Sequence, residues 1–182
     1  MLSFRCATCG EEHSGIPTFG WDFPEQYFDV PENRREPDVF LTTDTCVIAD
    51  RFFFVKGCLE IPVVGHETPF SWGVWVSLSE KNFFHFQELL GVAKRSHHSP
   101  FFAWLCSRIW IYPETLHLKT MIHLRDDGIR PFVELEPADH PLVVEQRTGI
   151  TSARLAEIHE KMVHPSGEAG QQPDEADEVR DG

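Results

Sequence analysis

Apolar residues recur at every second position through much of the middle of the chain, and this period of two predicts β-structure there. The run Phe70 to Leu78 puts Phe70, Trp72, Val74 and Val76 on one face and Ser71, Gly73, Trp75 and Ser77 on the other. Upstream, Thr45 to Ile48 and Phe52 to Val63 are rich in β-branched and aromatic residues and are joined by Ala49-Asp50-Arg51, so the three runs read as a meander. Gly73 either weakens its strand or lets another segment approach it. Thr115 to Arg125 also alternates, with Leu116, Leu118, Ile122 and Leu124 opposite His117, Lys119, His123 and Arg125. Asp126-Asp127-Gly128 then turns the chain into a partner strand, Arg130 to Leu135.

Helical spacing replaces this alternation in two places. Ser79 is placed as an N-cap before a stripe of Phe83, Phe86 and Leu90, with Gly91 near the stop. Thr151 caps a last helix whose stripe is Leu155, Ile158 and Met162. Residues 14 to 38 carry Pro17, Pro24, Pro31 and Pro37 among Phe19, Trp21, Phe23, Tyr27 and Phe28. They predict a long irregular segment pinned by large side chains, with room for one short helix near Glu25 to Phe28. The expected fold class is α+β: an antiparallel meander sheet with two or three helices packed on it and an irregular N-terminal segment.

Composition changes this picture mainly at the ends. A chain of 182 residues that is 41% hydrophobic can bury one sizeable core, so residues 1–164 are expected to form a single domain. Residues 165–182, rich in Gly, Gln, Pro and acids, cannot bury enough surface to offset ordering and are expected to be a disordered acidic tail. The net charge of −13 draws on Glu168, Asp174, Glu175, Asp177, Glu178 and Asp181 of that tail and leaves no basic footprint elsewhere, which disfavours nucleic acid and anionic membranes as partners. Met1 to Cys6 lack the apolar run of about 7 to 15 residues of a signal peptide, so the expected location is the cytoplasm. The five cysteines are then reduced thiols or metal ligands rather than a disulfide framework.

Several segments together resemble a bacterial family known as domain of unknown function 2199. They are Phe4-Arg5-Cys6-Ala7-Thr8-Cys9-Gly10, Leu41-Thr42-Thr43-Asp44-Thr45-Cys46, Gly57-Cys58-Leu59-Glu60-Ile61-Pro62-Val63 and Trp72-Gly73-Val74-Trp75-Val76-Ser77-Leu78-Ser79. The resemblance continues through Tyr112-Pro113-Glu114-Thr115-Leu116-His117-Leu118-Lys119, Arg130-Pro131 and His140 to Gln146, covering roughly residues 4 to 164. It implies a single domain and, as the family name says, carries no activity, substrate or catalytic residue.

Cys6-x-x-Cys9, followed by Gly10 and by His13 four residues after Cys9, has the spacing of a zinc knuckle, in which one turn brings two thiolates onto a metal ion. Cys6, Cys9 and His13 are the candidate zinc ligands, with the fourth not identified. The plainer alternative is a tight turn whose thiols pack as small apolar groups. A redox dithiol would need a helix after the second cysteine, and Gly10 to Gly15 predicts none. Pairing about a turn at Asp50 puts Cys46 opposite Phe54 and leaves Cys58 about 13 Å along the sheet, so those thiols cannot share one zinc. Cys46, Cys58 and Cys106 are read as core side chains.

The polar face His117, Lys119, His123 and Arg125 is a candidate site for a protein partner or small anionic ligand, or simply a solvated strand face. Trp75 lies opposite Trp72, so it is covered by residues 16 to 37 as a second core layer, or by a partner or ligand. His97-His98, between Ser96 and Ser99, reads as loop, and His140 before Pro141 as helix-entry chemistry. No Gly-rich phosphate loop, nucleophile elbow, His-Glu-x-x-His or dinucleotide fingerprint occurs. Three functions are carried forward. The first is a non-catalytic binding module using Trp75 or the His117–Arg125 face. The second is a small enzyme assembling His117, His123, Asp44 and Glu60, and the third a thiol redox protein.

Overall fold

The computed structural model describes residues 3–165, so all of the predicted tail beyond Pro165 lies outside the described residues. In chain order the elements are β1 (Ser3–Arg5), β2 (Glu12–Ser14), β3 (Thr18–Gly20), a 3-10 turn (Glu25–Tyr27), α1 (Glu32–Asp38), β4 (Val39–Leu41), β5 (Thr45–Ile48), β6 (Phe52–Ile61) and β7 (Phe70–Leu78). There follow α2 (Glu80–Leu90), β8 (Phe101–Leu105), β9 (Lys119–His123), β10 (Phe132–Leu135), α3 (Pro141–Thr148) and α4 (Ser152–Val163). The class is α+β, as expected, and among the described residues no helix is long and apolar enough to cross a membrane.

The sheet is not the open meander that the alternation predicts. Strands β6, β7, β8, β9 and β10 pair antiparallel in sequence, and β10 then returns to β6, closing a barrel. The first and last of five alternating strands run the same way, which is why the closing pair is parallel, Phe132 against Cys58. Strands β5 and β4 extend the sheet beyond β6, and β3 lies parallel beside β7. At that contact a Cβ on Gly20 would sit 3.1 Å from the Gly73 carbonyl oxygen, so the glycine in β7 is where another strand comes close.

Period-two alternation puts two cores on the two sides of the barrel wall. Inward residues such as Leu59, Ile61, Trp72, Val76, Leu105, Ile122 and Val133 form one cluster with Phe83 and Phe86 of α2 and Leu155 and Ile158 of α4. Outside the wall Cys46, Ile48, Phe54, Trp75 and Cys106 form a second, covered by Trp21, Tyr27 and Val30 from the Pro-rich segment and by Val39 of β4. Trp75 is fully buried and its Nε1 donates to the Trp21 carbonyl at 2.9 Å. It belongs to the second core layer and is unavailable as a ligand or partner contact. Burial pushes the Cys46 thiol up to about 12 and that of Cys106 up to about 11, so both stay protonated core groups, whereas Cys58 is half-buried.

Three other expectations need correction. Leu89 rather than Leu90 completes the buried stripe of α2, which follows i, i+3, i+6 instead of i, i+3, i+7. The strand predicted from Thr115 begins only at Lys119, because the Thr115 hydroxyl accepts from Ile109 N and donates to the Ser107 carbonyl, fixing a loop in which His117 stands at φ +63°. Helix α1 forms within the segment expected to be irregular, entered through Pro31 and tolerating Pro37 in its last turn. Ser79 and Thr151 do cap α2 and α4, accepting from Asn82 N and Arg154 N, and His140 caps α3 by accepting from Leu142 N.

Asp126 ties the start of the β9–β10 turn to the segment after α2, its Oδ1 accepting from Ser96 N at 2.8 Å and Arg95 N at 2.7 Å. These two N–H groups, Ser96 first, hold its carboxyl down at about 2. A carboxyl depressed in the folded state adds stability that is complete above its unfolded value of about 3.9 and is lost as pH falls through the folded value. Asp126→Asn is therefore expected to melt below wild type at neutral pH, with the gap narrowing between about pH 4 and about pH 2 in melting curves.

Candidate metal centre

The short antiparallel ribbon β1–β2, paired Phe4 to His13 and Arg5 to Glu12, carries the Cys-x-x-Cys in its turn. That turn is closed by Gly10 N donating to the Cys6 carbonyl at 3.0 Å and by Cys6 N donating to the Glu11 carbonyl at 2.9 Å. Gly10 stands at φ +73°, in the left-handed region that glycine occupies without cost. The Cys9 backbone N–H points at the Cys6 sulfur and, helped by that of Thr8, holds this thiol below its ordinary value against the opposing effect of burial. Thiolate is the form that binds metal. No helix follows Cys9, which leads instead into β2.

The ribbon packs on the end of α4. Phe4 meets the His159 ring edge-on at 5.1 Å, the His13 and His159 rings lie 4.3 Å apart, and the Thr8 hydroxyl bonds the Glu160 carboxylate. This brings in His164, the C-cap of α4. One ligand atom each from Cys6, Cys9 and His164 lie within 4.8 Å of one another, as do those of Cys9, Glu11 and His13. Cys9 Sγ is 3.6 Å from His13 Nε2. Around a tetrahedral zinc ion, with Zn–S about 2.3 Å and Zn–N about 2.0–2.1 Å, the S···N edge is also about 3.6 Å.

Two buried imidazole nitrogens here, His164 Nε2 and His159 Nδ1, lack any hydrogen-bond partner. His159 is held below its ordinary value, chiefly by burial and then by the neighbouring His13 and His164. Neutral imidazole beside thiolate is a zinc donor set. Cys9 is the member common to both groups, meeting Cys6 and His164 in one and Glu11 and His13 in the other, and His164 is the residue the sequence reading missed. It stands at the far end of the chain from the cysteine pair, so no local spacing links it to them.

The remaining candidate residues do not converge. His123 Nε2 lies 2.7 Å from Glu134, Arg125 bonds Glu60 at 2.7 Å and Arg130 bonds Asp44 at 2.6 Å. Asp44, Glu60 and His123 are therefore each engaged with a different partner. His117 instead lines a cavity of about 490 Å³ together with Arg51, Phe52, Phe54, Trp104 and Cys106. Lys119 stands over the Trp104 ring at 6.0 Å, just outside it.

Together these features define a closed-barrel α+β domain whose N-terminal ribbon and last helix meet in a Cys/His cluster. The chain belongs to the family domain of unknown function 2199, described as an uncharacterized protein conserved in bacteria, which matches residues 5–150. The match takes in Cys6, Cys9 and His13 and ends before α4, so it is shorter than the segments quoted from the sequence had implied. Comparisons with curated proteins and with solved structures returned no match.

Proposed function

We propose that this chain is a non-catalytic binding module of the bacterial cytoplasm whose N-terminal ribbon and C-terminal helix are clasped by one structural zinc ion on Cys6, Cys9, His13 and His164. The observation that carries the reading is the convergence of Cys6, Cys9 and His164 within 4.8 Å, with His13 3.6 Å from Cys9. Two thiolates and two neutral imidazoles fill all four positions of a tetrahedral ion, and a closed site of this kind has no open position for substrate or water. The module half of the reading rests on the dispersal of Asp44, Glu60 and His123 to separate partners, so that these three do not face a common cavity.

Elemental analysis of the untagged protein from a bacterial cytoplasm is expected to find about one zinc per chain. Cys6→Ser with Cys9→Ser, and separately His164→Ala, should lose it, whereas His159→Phe, which keeps the ring stack, should retain it. Chelation should lower Tm by roughly 10 °C, as befits a few kcal/mol in a domain of this size. A metal-free wild type would sink the clasp, and a zinc-replete His164→Ala protein would remove His164 from it.

A further inference from the structure

We propose that the cavity on the outer wall of the barrel binds a small amphipathic carboxylate, its apolar body against Phe52, Phe54 and Trp104 and its anionic end at Arg51 and His117. This rests on the reading of the chain as a binding module, and not on the zinc clasp. The cavity's back wall follows from strand register: Phe54 pairs with Ser77, Ser77 with Trp104 and Trp104 with Lys119, so one rung of the barrel presents a large ring on each side of a small serine. The serine is the gap in which an apolar body can lie. At about 490 Å³ the space falls within the range of small-molecule sites, about 300–1,000 Å³, and its lining is mostly apolar with few polar groups, as such sites are.

The mouth is aromatic and cationic. Phe52 is 50% and Trp104 38% exposed, and Phe102 stands edge-on to Trp104 at 5.2 Å. Arg51 lies over the Phe52 ring at 5.4 Å. Among the described residues, no carboxylate lies within ion-pair distance of Arg51, His117 or Lys119, although the chain has far more acids than bases. Glu25 and Glu114, which neighbour the lining residues Gln26 and His117 in the chain or nearly so, are both committed to Arg108. Unpaired cations beside exposed rings on an acidic protein complement an anion joined to an apolar body.

The test is calorimetric titration of the full chain with decanoate below its micelle concentration, and with decanol and decyltrimethylammonium as head-group controls. Decanoate is expected to fill one site at least tenfold more tightly than either control. Arg51→Gln combined with His117→Gln should weaken decanoate at least tenfold and leave decanol unchanged; both positions are exposed, so this variant should melt with wild type. Trp104→Ala should weaken decanoate and decanol alike. No saturable decanoate site, equal binding of the cationic control, or indifference of decanoate to the double variant would each overturn the proposal. Zinc content read on the same samples keeps the two readings apart: a zinc-replete chain that ignores decanoate overturns this inference alone.

Discussion

Arg95→Met is expected to cost about 3–5 kcal/mol of folding stability, the largest effect of any single charged-residue change in the described chain. Arg95 is only 2% exposed, and among the described residues no carboxylate lies within ion-pair distance of its guanidinium. Its charge is carried instead by four backbone carbonyls: Arg125 at 2.7 Å, Leu90 at 2.9 Å, Ile129 at 3.1 Å and Leu89 at 3.3 Å. Leu89 and Leu90 end α2, where a cation meets both the unsatisfied carbonyls and the negative end of the helix dipole. Arg125 and Ile129 flank the β9–β10 turn. One side chain therefore joins the helix that covers the barrel to the hairpin that closes it. Methionine keeps the volume but leaves the carbonyls buried without donors, each at a cost of about 1–3 kcal/mol less whatever water recovers. Lysine should fail nearly as badly, since three donors on one nitrogen cannot span four acceptors set in a fork. Urea unfolding at unchanged m-value would report the loss as a lower midpoint, and a shift worth under about 1 kcal/mol would mean that water replaces the guanidinium.

How much of this was legible in the chain depends on the range of the interaction concerned. Cys46 does sit opposite Phe54, because the three-residue turn Ala49-Asp50-Arg51, with Ala49 and Asp50 at positive φ, fixes the register of its own hairpin. The opposite faces of Trp72 and Trp75, and the caps Ser79 and Thr151, are equally local and were equally readable. Barrel closure was not, since alternation tells which face a residue takes and nothing about which distant strand lies beside it. Arg95 escaped notice for a similar reason. Within Lys94-Arg95-Ser96-His97-His98 it reads as one more loop charge, and only the return of residues 125 to 129 makes it a buried hub. His164 was hidden by distance along the chain from the cysteines it meets. In each case the missing information was a contact between segments far apart in sequence, while the chemistry of each half was already written locally.

Gly57→Val is expected to destabilise the protein by roughly 3 kcal/mol through the seam of the barrel. Closure is thin there: one residue pair, Phe132 with Cys58, joins β10 to β6, with Cys58 N donating to the Pro131 carbonyl at 2.8 Å. Gly57 faces inward beside them, and a Cβ at this position would lie 2.6 Å from Val133 Cγ2 and 3.1 Å from the Pro131 carbonyl oxygen. Val133 is itself fully buried and β-branched, with little freedom to turn away. Relief must come from backbone movement of β10, which strains the Gln146 side chain that accepts from Leu135 N and donates to the Val133 carbonyl, each at 2.8 Å. Gly57→Ala should show a smaller loss of the same kind. Gly91→Ala makes the control, because nothing lies within 4 Å of its added methyl and its φ of −80° suits any residue. Amide exchange separates the mechanisms: a seam defect speeds exchange at Cys58 and along β10 before the β6–β7 pair, whereas uniform acceleration would mean that Gly57 matters only to global stability.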